Sequence, residues 1–81
     1  MNDNKIFARE IDKTSPDYIW SRIWLYCRIN HITRDELSRR IEISKATIST
    51  YNKDASNLSY ETVHKFCRQF HFETIKDLVE Y

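Results

Sequence analysis

Three observations predict an all-α fold of five helices. The 81 residues include no glycine and a single proline, so the chain is poorly suited to tight hairpins. Hydroxyl residues stand at five helix-opening positions: Ser15, Thr33, Ser44, Ser59 and Thr74. The stretches that follow them carry apolar residues at helical spacing. Ile41-Glu42-Ile43 alternates, but it is too short for a strand and lies between two capped helices.

Met1 to Asn4 is a polar start. Ile6, Phe7 and Ile11 form a small apolar set suited to a short helix or an extended arm, so 1–15 is read as an N-terminal arm and 16–81 as one domain. Ser15-Pro16-Asp17 opens the first helix: a cap, a proline at the first helical position, and an acid at the positive end of the dipole. This helix is expected from Pro16 to about Asn30, with Ile19, Ile23 and Tyr26 inward. Trp20, Trp24 and Leu25 widen its apolar surface beyond one stripe. That excess reads as core rather than as an exposed dimer face.

Thr33-Arg34-Asp35-Glu36 is a capping box, with Glu36 reaching back to Thr33. The second helix runs from Arg34 to about Ile41, with Leu37 and Ile41 inward. Only Glu42 and Ile43 separate it from the third, Lys45 to Tyr51, opened by Ser44 and turning Ile48 and Tyr51 inward. So short a connection requires the two helices to cross steeply. Asn52 to Leu58 reads as a polar loop. Ser59 caps a fourth helix, Tyr60 to about Phe70, with Val63, Phe66, Cys67 and Phe70 inward. Thr74 to Asp77 opens a fifth, carrying Ile75, Leu78 and Val79.

Composition narrows the function. A chain of this size hides only roughly 60–65% of its surface on folding. Two Trp, five Tyr and four Phe make a core possible without metal or disulfide. Cys27 and Cys67 are read as free thiols of a cytoplasmic protein. No apolar run approaches the roughly 20 residues of a membrane span, and Met1 to Lys13 lacks the pattern of a signal peptide. The net charge is +1, but it is unevenly placed. Arg34, Arg39, Arg40, Lys45 and Lys53 outnumber Asp35, Glu36 and Glu42 between Thr33 and Lys53. That local excess is compatible with phosphate binding without demanding it.

The stretch Ile32 to Tyr51 reads I-T-R-D-E-L-S-R-R-I-E-I-S-K-A-T-I-S-T-Y. It resembles the lambda-repressor/Cro-like (XRE) family of helix-turn-helix regulators. Thr33, Glu36, Leu37, Ile43, Ser44, Ile48, Ser49 and Tyr51 fall in register with the family pattern. Ser59-Tyr60-Glu61-Thr62-Val63 continues it as the family's next helix opening, with Phe66-Cys67 at its core positions, so the resemblance covers about Pro16 to Leu78. It implies a lambda-repressor-like domain whose helix-turn-helix spans 33–51. It also implies a sequence-specific double-stranded DNA-binding transcriptional regulator, a repressor of the phage or mobile-element type, working as a homodimer on a two-fold operator. Departures stand at Glu42, where the family turn usually has Gly, at Ser38 for Ala, at Arg34 for Gln, and at Asn52-Lys53-Asp54 after the recognition helix. A left-handed backbone at Glu42 costs roughly 1 kcal/mol. His31 and His71 stand where the family has helix-ending Gly.

Physical chemistry supports the same assignment. A helix laid in the major groove needs short outward side chains so that its backbone can approach base edges. Lys45, Ala46, Ser49 and Thr50 are the candidate base readers. Lys45 is long enough for guanine O6 and N7, while Ala46 or the Thr50 methyl suits a thymine methyl. Thr33, Arg34, Ser44, Thr47, Asn52 and Lys53 are the candidate phosphate contacts, with Arg34 beside the free amides of a helix start. Arg39 and Arg40 read as a solvated face or ion-pair partners.

Other classes find less support. Cys27 and His31, and His64, Cys67 and His71, have spacings that fit metal ligands on one helix face. Cys67 is nonetheless a core position and His71 a helix end, so no metal and no cofactor is expected. No Gly-rich loop, carboxylate pair or Ser–His–acid frame points to an enzyme, and no small-molecule substrate is evident. The rival reading is the same fold used as a protein-binding module, such as an antirepressor, favoured by the low net charge and Glu42. For the dimer contact, the C-terminal helix with Ile75, Val79 and Tyr81 is preferred over the first helix. The arm would then cover the Trp20 and Trp24 face.

Overall fold

The computed structural model of the chain describes residues 13–81. Among them are five helices and no strand: α1 (Pro16–Ile29), α2 (Arg34–Ile41), α3 (Lys45–Lys53), α4 (Tyr60–Gln69) and α5 (Ile75–Val79). The expected all-α fold is therefore observed. The arm expected over 1–15, with Ile6, Phe7 and Ile11, lies outside the described residues as far as residue 12.

Every helix opens on the hydroxyl that the sequence assigns to it. Ser15, Thr33, Ser44, Ser59 and Thr74 each accept the backbone N–H three residues on, at 3.0 to 3.2 Å. Such a cap satisfies one orphan donor and typically adds about 1 kcal/mol. Glu36 departs from expectation. Its carboxylate does not reach back to Thr33 but lies 3.6 Å from Arg40, because a cation one turn along the same face is the better partner for a carboxylate.

Helix ends are built without glycine. His31, Glu42 and His71 have φ of 58°, 63° and 67°. In each case the next amide closes on a carbonyl five residues back: Ile32 on Cys27 at 2.8 Å, Ile43 on Ser38 at 3.2 Å, and Phe72 on Cys67 at 2.9 Å. This is the Schellman ending. The apolar residue after each left-handed position, Ile32, Ile43 or Phe72, packs on the core. That packing offsets the strain of a Cβ in the left-handed region.

The core draws on all five helices. Ile23, Leu37, Ile41, Ile48, Phe66 and Leu78 are fully buried. Tyr26 sets its ring edge-on to Phe66, Phe70, Phe72 and Tyr81. Arg40 donates to the Gln69 carbonyl at 2.8 Å and lies 4.2 Å over the Phe70 ring. It thereby ties α2 to the end of α4, while its pair with Glu36 is the ion-pair role expected of it. Cys27 and Cys67 are buried free thiols, and burial pushes Cys27 up to about 12.

Trp20 joins the core, as the sequence reading has it, and is only 3% exposed. Its face is covered by the end of α3, where its ring meets Tyr51 at a centroid distance of 5.0 Å. In addition, α3 runs two residues beyond the expected Tyr51, to Lys53. The Trp20 indole donates to Asn52 Oδ1 at 2.9 Å, and Asp17 accepts the Ala55 amide at 3.0 Å. Contacts from α1 thus hold in place a segment whose local composition reads as loop.

Candidate nucleic-acid interface

The site is built from the start of α2, the left-handed turn at Glu42, and the whole of α3. Ile48 is buried and Tyr51 half-buried, so α3 is anchored by one face. On its other face Lys45, Ala46 and Thr50 are exposed, and Ser49 and Thr47 are half-buried. All but Lys45 are short. The Thr50 hydroxyl bonds the Ala46 carbonyl at 3.1 Å, so its methyl is the group left to offer. Ser44 and Thr47 share a hydroxyl contact of 2.9 Å at the helix start.

The turn is held from behind. Glu42 adopts the left-handed conformation, and its carboxylate lies 3.3 Å from Lys65 on α4. Ser38 Oγ donates to the Ile43 carbonyl. A hydroxyl at this position therefore closes the short connection from inside.

Two bonds join α2 and α3 across the outward face. Arg34 Nη1 donates to Ser49 Oγ at 3.1 Å, and Lys45 Nζ lies 2.8 Å from Asp35 Oδ1. The Lys45 hydrogen bond, then its charge, with Arg39 and Arg34 adding, hold the Asp35 carboxyl below its usual range. At the far end, Asn52 is oriented by Trp20. Lys53 and Arg28 line an open groove with Trp20, Trp24 and Asn52.

The residues expected at the site thus come together around α3. Thr33, Arg34 and Ser44 lie at helix starts, Lys45 to Thr50 along the face, and Asn52 and Lys53 at its end. Sequence reasoning missed Asp35 as the partner of Lys45, Trp20 as the anchor of Asn52, and Arg28 as a second cation lining the groove of Lys53. Only the adjacency of Asp35 to Arg34 in the first turn of α2 was a readable signal; the other two depend on packing.

Among the described residues no three of His, Cys, Asp and Glu gather as metal ligands. None of the described helices is long and apolar enough to cross a membrane. A family model described as the Cro/C1-type HTH DNA-binding domain matches residues 22–81. No curated protein and no solved structure shows a significant match.

Proposed function

The chain belongs to the Cro/C1-type helix-turn-helix DNA-binding family, and from that premise we propose that it is a sequence-specific transcriptional regulator that lays α3 in the major groove. The observation that carries this reading is the outward face of α3. It offers a long cation at each end, Lys45 and Lys53, with the short side chains Ala46, Ser49 and Thr50 between them, as close approach to base edges requires. Lys45 reaches a guanine edge, and Ala46 and the Thr50 methyl meet thymine methyls. Ser49, held by Arg34, reads at closest approach. Thr33, Arg34, Ser44 and Thr47 meet phosphate on one side of the groove, and Asn52 and Lys53 on the other. Asn52 spends its oxygen on Trp20, so its amide NH2 remains to donate to phosphate.

The regulator acts as a cytoplasmic repressor of the phage or mobile-element type, as a homodimer on a two-fold operator. One recognition helix covers too few base pairs for useful selectivity, and pairing two of them doubles the site. Selection from a random duplex pool tests this reading. Enrichment of a two-fold motif, with affinity falling steeply as salt rises, is the expected result. No duplex affinity at physiological salt would overturn it in favour of a protein-binding module.

A further inference from the structure

Two cations of the proposed interface are already engaged within the chain, and their partners differ in kind. Arg34 meets a neutral hydroxyl, Ser49. Lys45 meets a carboxylate, Asp35, at 2.8 Å. This second pair sits where the start of α2 and the start of α3 come together, with Ser38 and Arg39 lining the same hollow. The lysine and aspartate side chains are 60% and 67% exposed, so the pair opens readily in water.

From this arrangement we infer that Asp35 sets the specificity of the protein, by competing with DNA phosphate for Lys45 while leaving Lys45 able to read a base. The inference rests on the DNA-binding reading above. A phosphate that draws on Lys45 brings a second anion to a cation already paired, and places it close to the carboxylate. Contact with phosphate therefore either displaces Asp35 or holds two anions together against like-charge repulsion. A guanine edge is uncharged and presents two acceptors. The ammonium has three donors, so it can meet O6 or N7 without leaving Asp35. The same carboxylate thus penalises backbone binding, which every sequence offers, more than base contact, which only the operator offers.

The simpler role for Asp35 is that of an acid complementing the dipole at the start of α2. Glu36 already stands in that first turn, and a dipole role would alter stability without altering sequence preference. The two roles therefore separate by measurement.

The experiment compares the selected operator duplex with a scrambled duplex of equal length, over a range of salt, for the wild type, Asp35→Asn, Asp35→Ser and Asp35→Glu, each first shown to be folded by thermal melting. Asp35→Asn and Asp35→Ser should bind the scrambled duplex about tenfold tighter and the operator about twofold tighter, so that the ratio of the two falls about fivefold. The salt slope on the scrambled duplex should steepen by about one unit, as the freed Lys45 neutralises one more phosphate. Asp35→Glu should stay near the wild type, and in a Lys45→Ala background the effect of Asp35→Asn on the ratio should vanish. An unchanged ratio, or weaker operator binding by Asp35→Asn, overturns the inference while leaving the DNA-binding reading standing. A wild type that binds neither duplex overturns both.

Discussion

The indole N–H of Trp20 donates to the side-chain oxygen of Asn52 at 2.9 Å, across 32 residues of sequence. The same indole ring packs on Tyr51, the preceding residue. The last turn of α3 is thus held by α1, and Asn52 and Lys53 are presented as helical residues instead of as the start of a loop. The Asp54 amide closes that turn on Thr50 at 2.8 Å.

Trp20→Phe should loosen this turn selectively. It keeps an aromatic ring in the core but removes the donor and some volume, for a loss of about 1–3 kcal/mol. Hydrogen exchange at Lys53 and Asp54 should quicken more than exchange at the start of α3. Affinity for all duplexes should weaken together, since Asn52 and Lys53 are proposed to touch phosphate and not bases. Unchanged exchange at these two amides would show that the turn needs no anchor.

Glycine at the left-handed positions should stabilise the domain. Glu42→Gly removes the Cβ strain at φ 63° but loses the Lys65 pair, so its net gain should be well under 1 kcal/mol. His71→Gly, at φ 67°, has no such pair to lose and should gain more, up to about 1 kcal/mol, or roughly 4–8 °C in melting temperature for a domain of this size. A fall in melting temperature for His71→Gly would mean that the His side chain itself supports the helix end.

The contrast between helix starts and the end of α3 shows what a sequence can carry. A cap acts within three residues, so Ser15, Thr33, Ser44, Ser59 and Thr74 are readable locally, whereas the left-handed turn at Glu42 is what the family resemblance implies. The extent of α3 depends on Trp20 and Asp17, which arrive from another helix. Periodicity names Ile19 and Ile23 as core, and the apolar excess adds Trp20, but Cys27, which is also buried, is passed over. A helix packed by more than one neighbour buries more than one stripe. At the site, residue types and their positions on α3 are legible, whereas the Lys45–Asp35 and Arg34–Ser49 pairings emerge only when α2 and α3 are set against each other.

Lys45→Ala and Arg34→Ala should have different signatures. Lys45→Ala should weaken operator binding by roughly 1–3 kcal/mol and relax preference at one base pair per half-site. Arg34→Ala should weaken all sequences nearly equally and flatten the salt slope by about one unit. Because Arg34 also holds Ser49, a sequence-dependent loss in Arg34→Ala would place the Ser49 contact among the base readers. An unchanged base preference in Lys45→Ala would remove Lys45 from that set.

The dimer contact is proposed on the C-terminal side, and the structure refines how to test it. Ile75, Val79, Ile19 and Tyr60 line an apolar groove flanked by Lys76 and Glu80. Val79 is only 8% exposed, so an acid there would strike the core of its own chain and confuse unfolding with dissociation. The charges are a cleaner probe. Lys76 and Glu80 lie one turn apart on the same short stretch, so two copies paired about a two-fold axis can set the Lys76 of each against the Glu80 of the other. Lys76→Glu and Glu80→Lys should each replace two attractive pairs with two repulsive ones. That should weaken the dimer by about 1–2 kcal/mol, near tenfold in its Kd. The double variant should restore it, because the swapped charges again face their opposites. Sedimentation equilibrium reads all three, and Trp24→Asp serves as the control for the rival face on α1. Intact dimers in both single variants, with a folded monomer from Trp24→Asp, would move the interface to α1.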